Sequence, residues 1–206
     1  MLGDVGNEEI LNQIFHIENV LTPTHLKMLV DTAKSRTIDW SFLDNTHTDS
    51  KQDYLNAFGF IHDLYDYKTK PDPDKHWGTF VAPLLVMIDK LDFHFQSLLR
   101  ARINMTVRTG SSHPGYPHID DNEMFNMWSA IFYVEDSDGP TYFYDFMRDE
   151  YSEDQAPRRP LKVIKKVEPV KNSGVIFNAN IYHSGMLPKD HQTRILVNYN
   201  FTGHKK

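Results

Sequence analysis

The chain has 206 residues, no cysteine and a formal charge of −6, which removes disulfides and thiolate metal sites from consideration. The acidic balance without a basic run argues against tracking of nucleic-acid phosphates, leaving only local patches at Arg158-Arg159 and Lys162-Lys165-Lys166. The length suits a single domain spanning 1–206; no stretch approaches membrane-spanning length and the acidic start MLGDVGNEEI lacks an apolar signal core, so a cytoplasmic protein off the membrane is expected.

Near the N-terminus, IFHIENVLTPTHLKMLVDTAK predicts a strand followed by a helix, with Thr22 as N-cap, Pro23 at the first helical position and Leu26, Leu29, Val30 and Ala33 as the apolar stripe. Residues 44–77 are polar but carry Tyr54, Phe58, Phe60, Tyr65, Tyr67 and Trp77, which fits a lid or, more blandly, aromatics closing a satellite core. Phe80, Leu84, Ile88, Leu91, Phe95 and Leu98 recur at three and four and predict one long amphipathic helix after Thr79. Then Arg102, Asn104, Thr106 and Arg108 alternate with Ile103, Met105 and Val107, a strand with one polar face.

Two H-x-D motifs follow the composition of a chain with 11 histidines. His47-Thr48-Asp49 lies in a polar stretch that reads as a loop. His118 and Asp120, in HPGYPHIDD, precede MWSAIFYVEDSDGPTYFYDF, which reads as a hairpin turned at DSDGP. On a strand, residues two apart share a side, so this pair can face one ion. Residues 144–160 then form a second candidate lid. GVIFN, opened by Gly174, leads to IYHSG and His183; after the turn at Pro188-Lys189-Asp190, RILVNYNF returns with Arg194, Leu196, Asn198 and Asn200 on one face. Three of those four are polar, which suits a strand lining a polar cavity, while Ile195, Val197, Tyr199 and Phe201 pack behind it.

Each residue alone has an ordinary explanation: His118 and Asp120 as a surface pair, His183 as a strand-end histidine, Arg194 as a solvated or ion-paired strand arginine. In order, two imidazoles and one carboxylate form the facial ligand set of non-heme iron(II), with positions left open for reactants. Arg194 adds a fixed charge able to grip a carboxylate in two places. His191 competes with His183 as third ligand, but follows turn residues rather than ending an apolar run. His113 and Tyr116 lie near the motif without any pattern that makes them ligands.

From about Arg102 to Phe201 this constellation resembles the iron(II)/2-oxoglutarate-dependent dioxygenase superfamily, and within it the prolyl 4-hydroxylase-like branch. The resemblance rests on His118/Asp120, on DGPTYFY beside the family's Gly-Gly-x-Thr-x-Phe element, and on the order G-V-I-F, H-S-G, P, R ending at Arg194; Asp138 stands where the family often has glycine. It implies an α+β, mainly β double-stranded β-helix (jelly roll) over 102–201, supported by strand and helices from 1–101. It also implies Fe(II) on His118, Asp120 and His183, with 2-oxoglutarate and O2 as cosubstrates and Arg194 on the far carboxylate. Tyr133 corresponds to a tyrosine that reaches that carboxylate in some members, or is a core aromatic; Asn198 and Asn104 are cosubstrate candidates by strand parity. The implied reaction is hydroxylation of a C–H bond in a peptidyl or free amino acid such as proline, yielding succinate and CO2, with a peptide, protein or small molecule as partner. A cupin-type metal protein that does not use 2-oxoglutarate, and a non-catalytic sensor, are the alternatives.

Overall fold

The computed structural model describes residues 6–44, 58–110, 114–120, 126–148, 157 and 159–206. From the N-terminus come α1 (Asn7–Leu11), β1 (Ile14–Ile17), α2 (Pro23–Ala33), β2 (Ser41–Leu43), β3 (Gly59–Asp66), α3 (Trp77–Phe80) and α4 (Ala82–Lys90). The strands β4 (Phe93–Val107), β5 (Met127–Tyr133), β6 (Thr141–Met147), β7 (Val163–Val167), β8 (Ser173–Asn178), β9 (Ile181–Gly185) and β10 (Thr193–Lys205) follow. At the start of α2, Pro23 sits in the first turn and Thr22 accepts the His25 N–H at 3.4 Å, satisfying one of the donors a helix start leaves open. No described helix is long and apolar enough to cross a membrane.

A seven-stranded sheet in the order β1-β8-β5-β10-β4-β3-β2 faces a three-stranded sheet, β7-β6-β9. Isolated bridges from Pro114 to Met186 and from His118 to His183 add the 114–118 segment beside β9. From β4 onward the chain therefore passes repeatedly between the two sheets, which is the winding of a double-stranded β-helix. The fold is mainly β, with α2, α3 and α4 on the outer face of the large sheet and α1 against β6 and β7 of the small one.

The predicted hairpin of β5 and β6 does not form. β5 lies between β8 and β10 in the large sheet, whereas β6 lies between β7 and β9 in the small one. Every residue of β5 except Trp128 is buried, so the strand needs cover on both faces. The helices supply one cover and the small sheet the other, and placing β6 alongside β5 would leave the inner face bare. β9 and β10 part in the same way, one to each sheet.

Two cores result. Outside the large sheet, Ile195, Val197, Tyr199 and Phe201 of β10 pack with Leu29, Phe80, Leu84 and Met87 of the helices, and the Tyr199 hydroxyl donates to the Phe80 carbonyl. Between the sheets, Leu196, Ile131, Tyr133, Phe143, Val175, Phe177 and Ile181 form the inner core.

The long helix expected after Thr79 is also corrected: α4 ends at Lys90, Asp92 takes a positive φ of 55°, and Phe95 and Leu98 belong to β4. Register shifts opposite Asn200/Phe201 and Thr202/Gly203 leave Leu99 and Gln96 unpaired. These bulges stretch the apolar spacing on the strand from two to three, and the run imitates a helical period.

Candidate metal centre

His118 and His183 lie side by side across the bridge, each backbone N–H donating to the other's carbonyl at 2.9 Å. Their rings are 4.6 Å apart between centroids. His118 Nδ1 is 2.9 Å from the Tyr116 carbonyl and His183 Nδ1 is 3.1 Å from that of Ile181. A carbonyl only accepts, so each Nδ1 carries the proton and each Nε2 keeps a free lone pair. Asp120 completes the group: its Oδ1 is 3.8 Å from His183 Nε2, and one ligand atom from each of the three residues lies within 4.8 Å of the others.

The motif is not presented by a strand, as parity had suggested. His118 forms an isolated bridge and Asp120 sits in a bend, so Asp120 is placed by groups the sequence reading missed. Its Oδ2 accepts from the Ser129 hydroxyl and from Asn200 Nδ2, the latter at 2.9 Å. Ser129 and Asn200 are opposite each other on β5 and β10, and Asn200 is opposite Arg100 on β4. Arg100 Nε donates to Asn200 Oδ1 at 2.9 Å, and its Nη2 is 3.8 Å from Asp120 Oδ1. Asn200 could have been found from its shared face with Arg194. Arg100 was hidden because the helix pattern ran to Leu98.

Burial pushes the Asp120 carboxyl up, but His183, Arg100, His118 and the Ser129 hydroxyl outweigh it and hold the group well below the usual carboxylate range. Burial, helped by His118, brings the His183 imidazole down to about 4 against the pull of Asp120. At neutral pH the pair is therefore a carboxylate beside a neutral imidazole, the states a divalent metal requires.

Arg194 lies on the inner face of β10, 6% exposed. Its Nη2 donates to Thr141 Oγ1 at 2.8 Å, and the Tyr133 hydroxyl is 2.8 Å from the same oxygen. Burial weakens the guanidinium's hold on its proton, and Tyr133 counteracts this; no carboxylate among the described residues pairs with it, and Nε is buried without a partner. Glycine is needed on two sides of it. A Cβ at Gly185 would stand 3.2 Å from Nη1, and one at Gly139 would stand 3.1 Å from Cδ and 2.3 Å from the Met186 carbonyl. A buried guanidinium without a counter-ion is costly, so this cradle suits a carboxylate arriving from solution, and the donor set fits the far end of 2-oxoglutarate.

Asn198 is on the same inner surface, opposite Arg102 and Ile131, and its Oδ1 is buried with no partner among the described residues. Asn104 is half-buried opposite Leu196. Tyr133, fully buried beside Thr141, belongs both to the inner core and to the arginine cluster. His191 is turned away, 3.2 Å from Asp138 through Nδ1, so it does not compete with His183. Asp138, the departure from the family's glycine, accepts the N–H groups of Asp190 at 2.7 Å, Lys189 at 3.2 Å and His191 at 3.3 Å. It ties the β9–β10 loop to the β5–β6 turn just before Arg194. His47-Thr48-Asp49, Tyr54, His113 and most of the second lid candidate (149–156 and 158) lie outside the described residues. Of the first lid candidate, Tyr65 and Trp77 pack on the outer core, which favours the satellite-core reading for them.

No protein-family model and no curated protein matches the sequence. Solved structures do. The alpha ketoglutarate dependent epimerase SnoN from nogalamycin biosynthesis superposes with a TM-score of 0.66 at 12% identity, over 95% of this chain and 82% of that one. The fold is that of the iron(II)/2-oxoglutarate oxygenases. A Trichoplax adhaerens prolyl hydroxylase, solved with a hypoxia inducible factor peptide fragment, shares this oxygenase fold at a TM-score of 0.58 and 13% identity, over 95% of this chain and 88% of that one. A Pseudomonas putida prolyl-4-hydroxylase does so at 0.54 and 12%, over 95% and 96%. SnoN has also been solved in complex with Fe3+, alpha ketoglutarate and nogalamycin RO.

Two outcomes are expected. Replacing Ser129 by Ala removes a donor from the Asp120 oxygen facing away from the triad and lowers affinity for Fe(II) or Co(II) by about 10- to 100-fold; an unchanged metal titration would remove this role. Burial pushes the Asp138 carboxyl up, but the backbone N–H groups of Asp190, His191 and Lys189 together outweigh it and hold the group down at about 2. Its contribution to stability is therefore present above the ordinary carboxylate range and is lost as pH falls through about 4 towards 2. The stability gap between wild type and Asp138→Ala in urea should be full at pH 7 and close across that window, and a gap independent of pH would contradict it.

Proposed function

We propose that this protein is an iron(II)- and 2-oxoglutarate-dependent dioxygenase that hydroxylates a C–H bond, with succinate and CO2 as coproducts, acting on a peptidyl or free amino acid such as proline. The observation that carries the reading is the pairing of the His118–Asp120–His183 group with a buried arginine that lacks a counter-ion. A cupin-type metal site has no use for the second element. The oxygenase fold supports the first, and the SnoN complex supports an iron and 2-oxoglutarate pair within such a fold.

In this reading Nε2 of His118, Nε2 of His183 and Oδ1 of Asp120 would hold iron(II), a ligand set that leaves room for reactants. The bound metal and cosubstrate supply the oxidising chemistry, coupling decarboxylation of 2-oxoglutarate by O2 to oxygen insertion into the substrate. The chain's own contribution is orientation. Ser129 and Asn200 occupy Asp120 Oδ2, so the carboxylate cannot rotate and presents one oxygen. Thr141 holds Arg194 against Gly185, where it would receive the far carboxylate of 2-oxoglutarate. Leu196, Ile131 and Phe143 wall the interior with apolar surface and limit the entry of water.

Arg194→Met separates this from a structural role. Affinity for 2-oxoglutarate should fall at least about a hundredfold, as expected for loss of roughly 3 kcal/mol of charge-assisted hydrogen bonding. Thermal stability of the metal-free protein should hold or rise, because an uncompensated buried charge is removed. Equal 2-oxoglutarate affinity, or a large drop in melting temperature with no change in affinity, would defeat the proposal.

A further inference from the structure

Two arginines stand on the inner face of the large sheet, and one of them, Arg100, reaches the triad. Arg100 and Arg102 are two apart on β4 and share that face, each with 28% of its side chain exposed. Arg102 is already neutralised: its Nε donates to Asp63 Oδ1 at 2.5 Å, directly across the strand pair. Arg100 is not. Its opposite on β3, Asp66, accepts the N–H groups of Lys68 at 2.8 Å and Thr69 at 3.0 Å on Oδ1 and acts on Arg100 through its charge rather than through a hydrogen bond. Asn200, to which Arg100 Nε donates, carries no charge. Among the described residues, the carboxylate within 4 Å of Arg100 is that of Asp120, 3.8 Å from Nη2. Iron(II) held by the triad would compete for that carboxylate and leave Arg100 able to donate to another.

Resting on the function proposed above, we infer that Arg100 is the substrate's anchor and that the substrate carries a free carboxylate close to the carbon that is oxidised. A carboxylate hydrogen-bonded to a guanidinium sits about 2.8 Å from it. With Nη2 so near Asp120 Oδ1, only a short carbon chain fits between the anchored group and the open face of the triad. This selects a small free acid, such as an amino acid with its own α-carboxylate, over a residue inside a peptide, whose carboxyl is an amide. Arg100 offers the two-pronged donor geometry the task needs, and its exposure leaves it reachable.

The test uses the full chain, anaerobic, with saturating Fe(II) and 2-oxoglutarate, and follows the visible charge-transfer band of that complex. The probes are the free L-amino acids and the same compounds as C-terminal amides. At least one acid should perturb the band at a concentration about tenfold or more below its amide, and in Arg100→Gln this acid-to-amide ratio should collapse towards one. Arg100→Lys should restore part of it. A merely structural arginine would weaken acid and amide alike and leave the ratio intact, which overturns the inference, as does a panel in which amides act as well as acids or no acid acts. Absence of the band before any probe is added is a different failure: it removes the oxygenase reading itself, and the anchor with it.

Discussion

Strand β10 carries two incompatible surfaces in one register. Ile195, Val197, Tyr199 and Phe201 must meet the helices, while Arg194, Leu196, Asn198 and Asn200 must meet the cavity. A slip of one residue would exchange the two sets, driving a guanidinium into the outer core and a phenylalanine into the site. Pairing with β4 on one side and β5 on the other holds this register, and the same pairing delivers Ser129 and Arg100 to Asn200. Core and site are therefore products of one alignment.

Charge is divided along that strand. Towards its start, Arg194 with Thr141 and Tyr133 makes a positive, solvent-excluded cradle. Six positions later, Asn200 steadies the carboxylate of a group that wants a cation. A molecule able to satisfy both ends must carry a carboxylate at one end and metal-binding oxygens at the other. 2-Oxoglutarate, the cosubstrate the family resemblance implies, has both features. The unsatisfied Nε of Arg194 and Oδ1 of Asn198 lie on the same surface, where burial without a partner would otherwise be a simple loss.

Much of this was legible in the sequence, for identifiable reasons. Period-two alternation is written into RILVNYNF, and both of its faces are where it places them. Thr22-Pro23 is a local helix-start signal and needs no tertiary information. His118, Asp120 and His183 come together in space, and His183 was singled out because it ends an apolar run. What alternation cannot convey is which strand lies alongside which: β5 and β6 look like a hairpin until both faces of β5 need cover. Bulges at Gln96 and Leu99 disguise the first half of β4 as helix, which also hid Arg100. Ser129 is one small residue in an aromatic strand, and its importance exists only once Asp120 is folded against it. Asp138 looked like a lapse from a glycine pattern, yet its carboxylate gathers three backbone N–H groups that a glycine could not.

The central claim is that one metal and one 2-oxoglutarate occupy this cavity together, the metal on His118, Asp120 and His183 and the dicarboxylate stretched to Arg194. Anaerobic addition of 2-oxoglutarate to the Fe(II)-loaded protein tests it most directly, since a weak visible metal-to-ligand charge-transfer band requires both in contact. The account predicts that the band appears, saturates at one equivalent, and is lost in Asp120→Ala. Iron that binds normally while 2-oxoglutarate adds neither band nor affinity would contradict it.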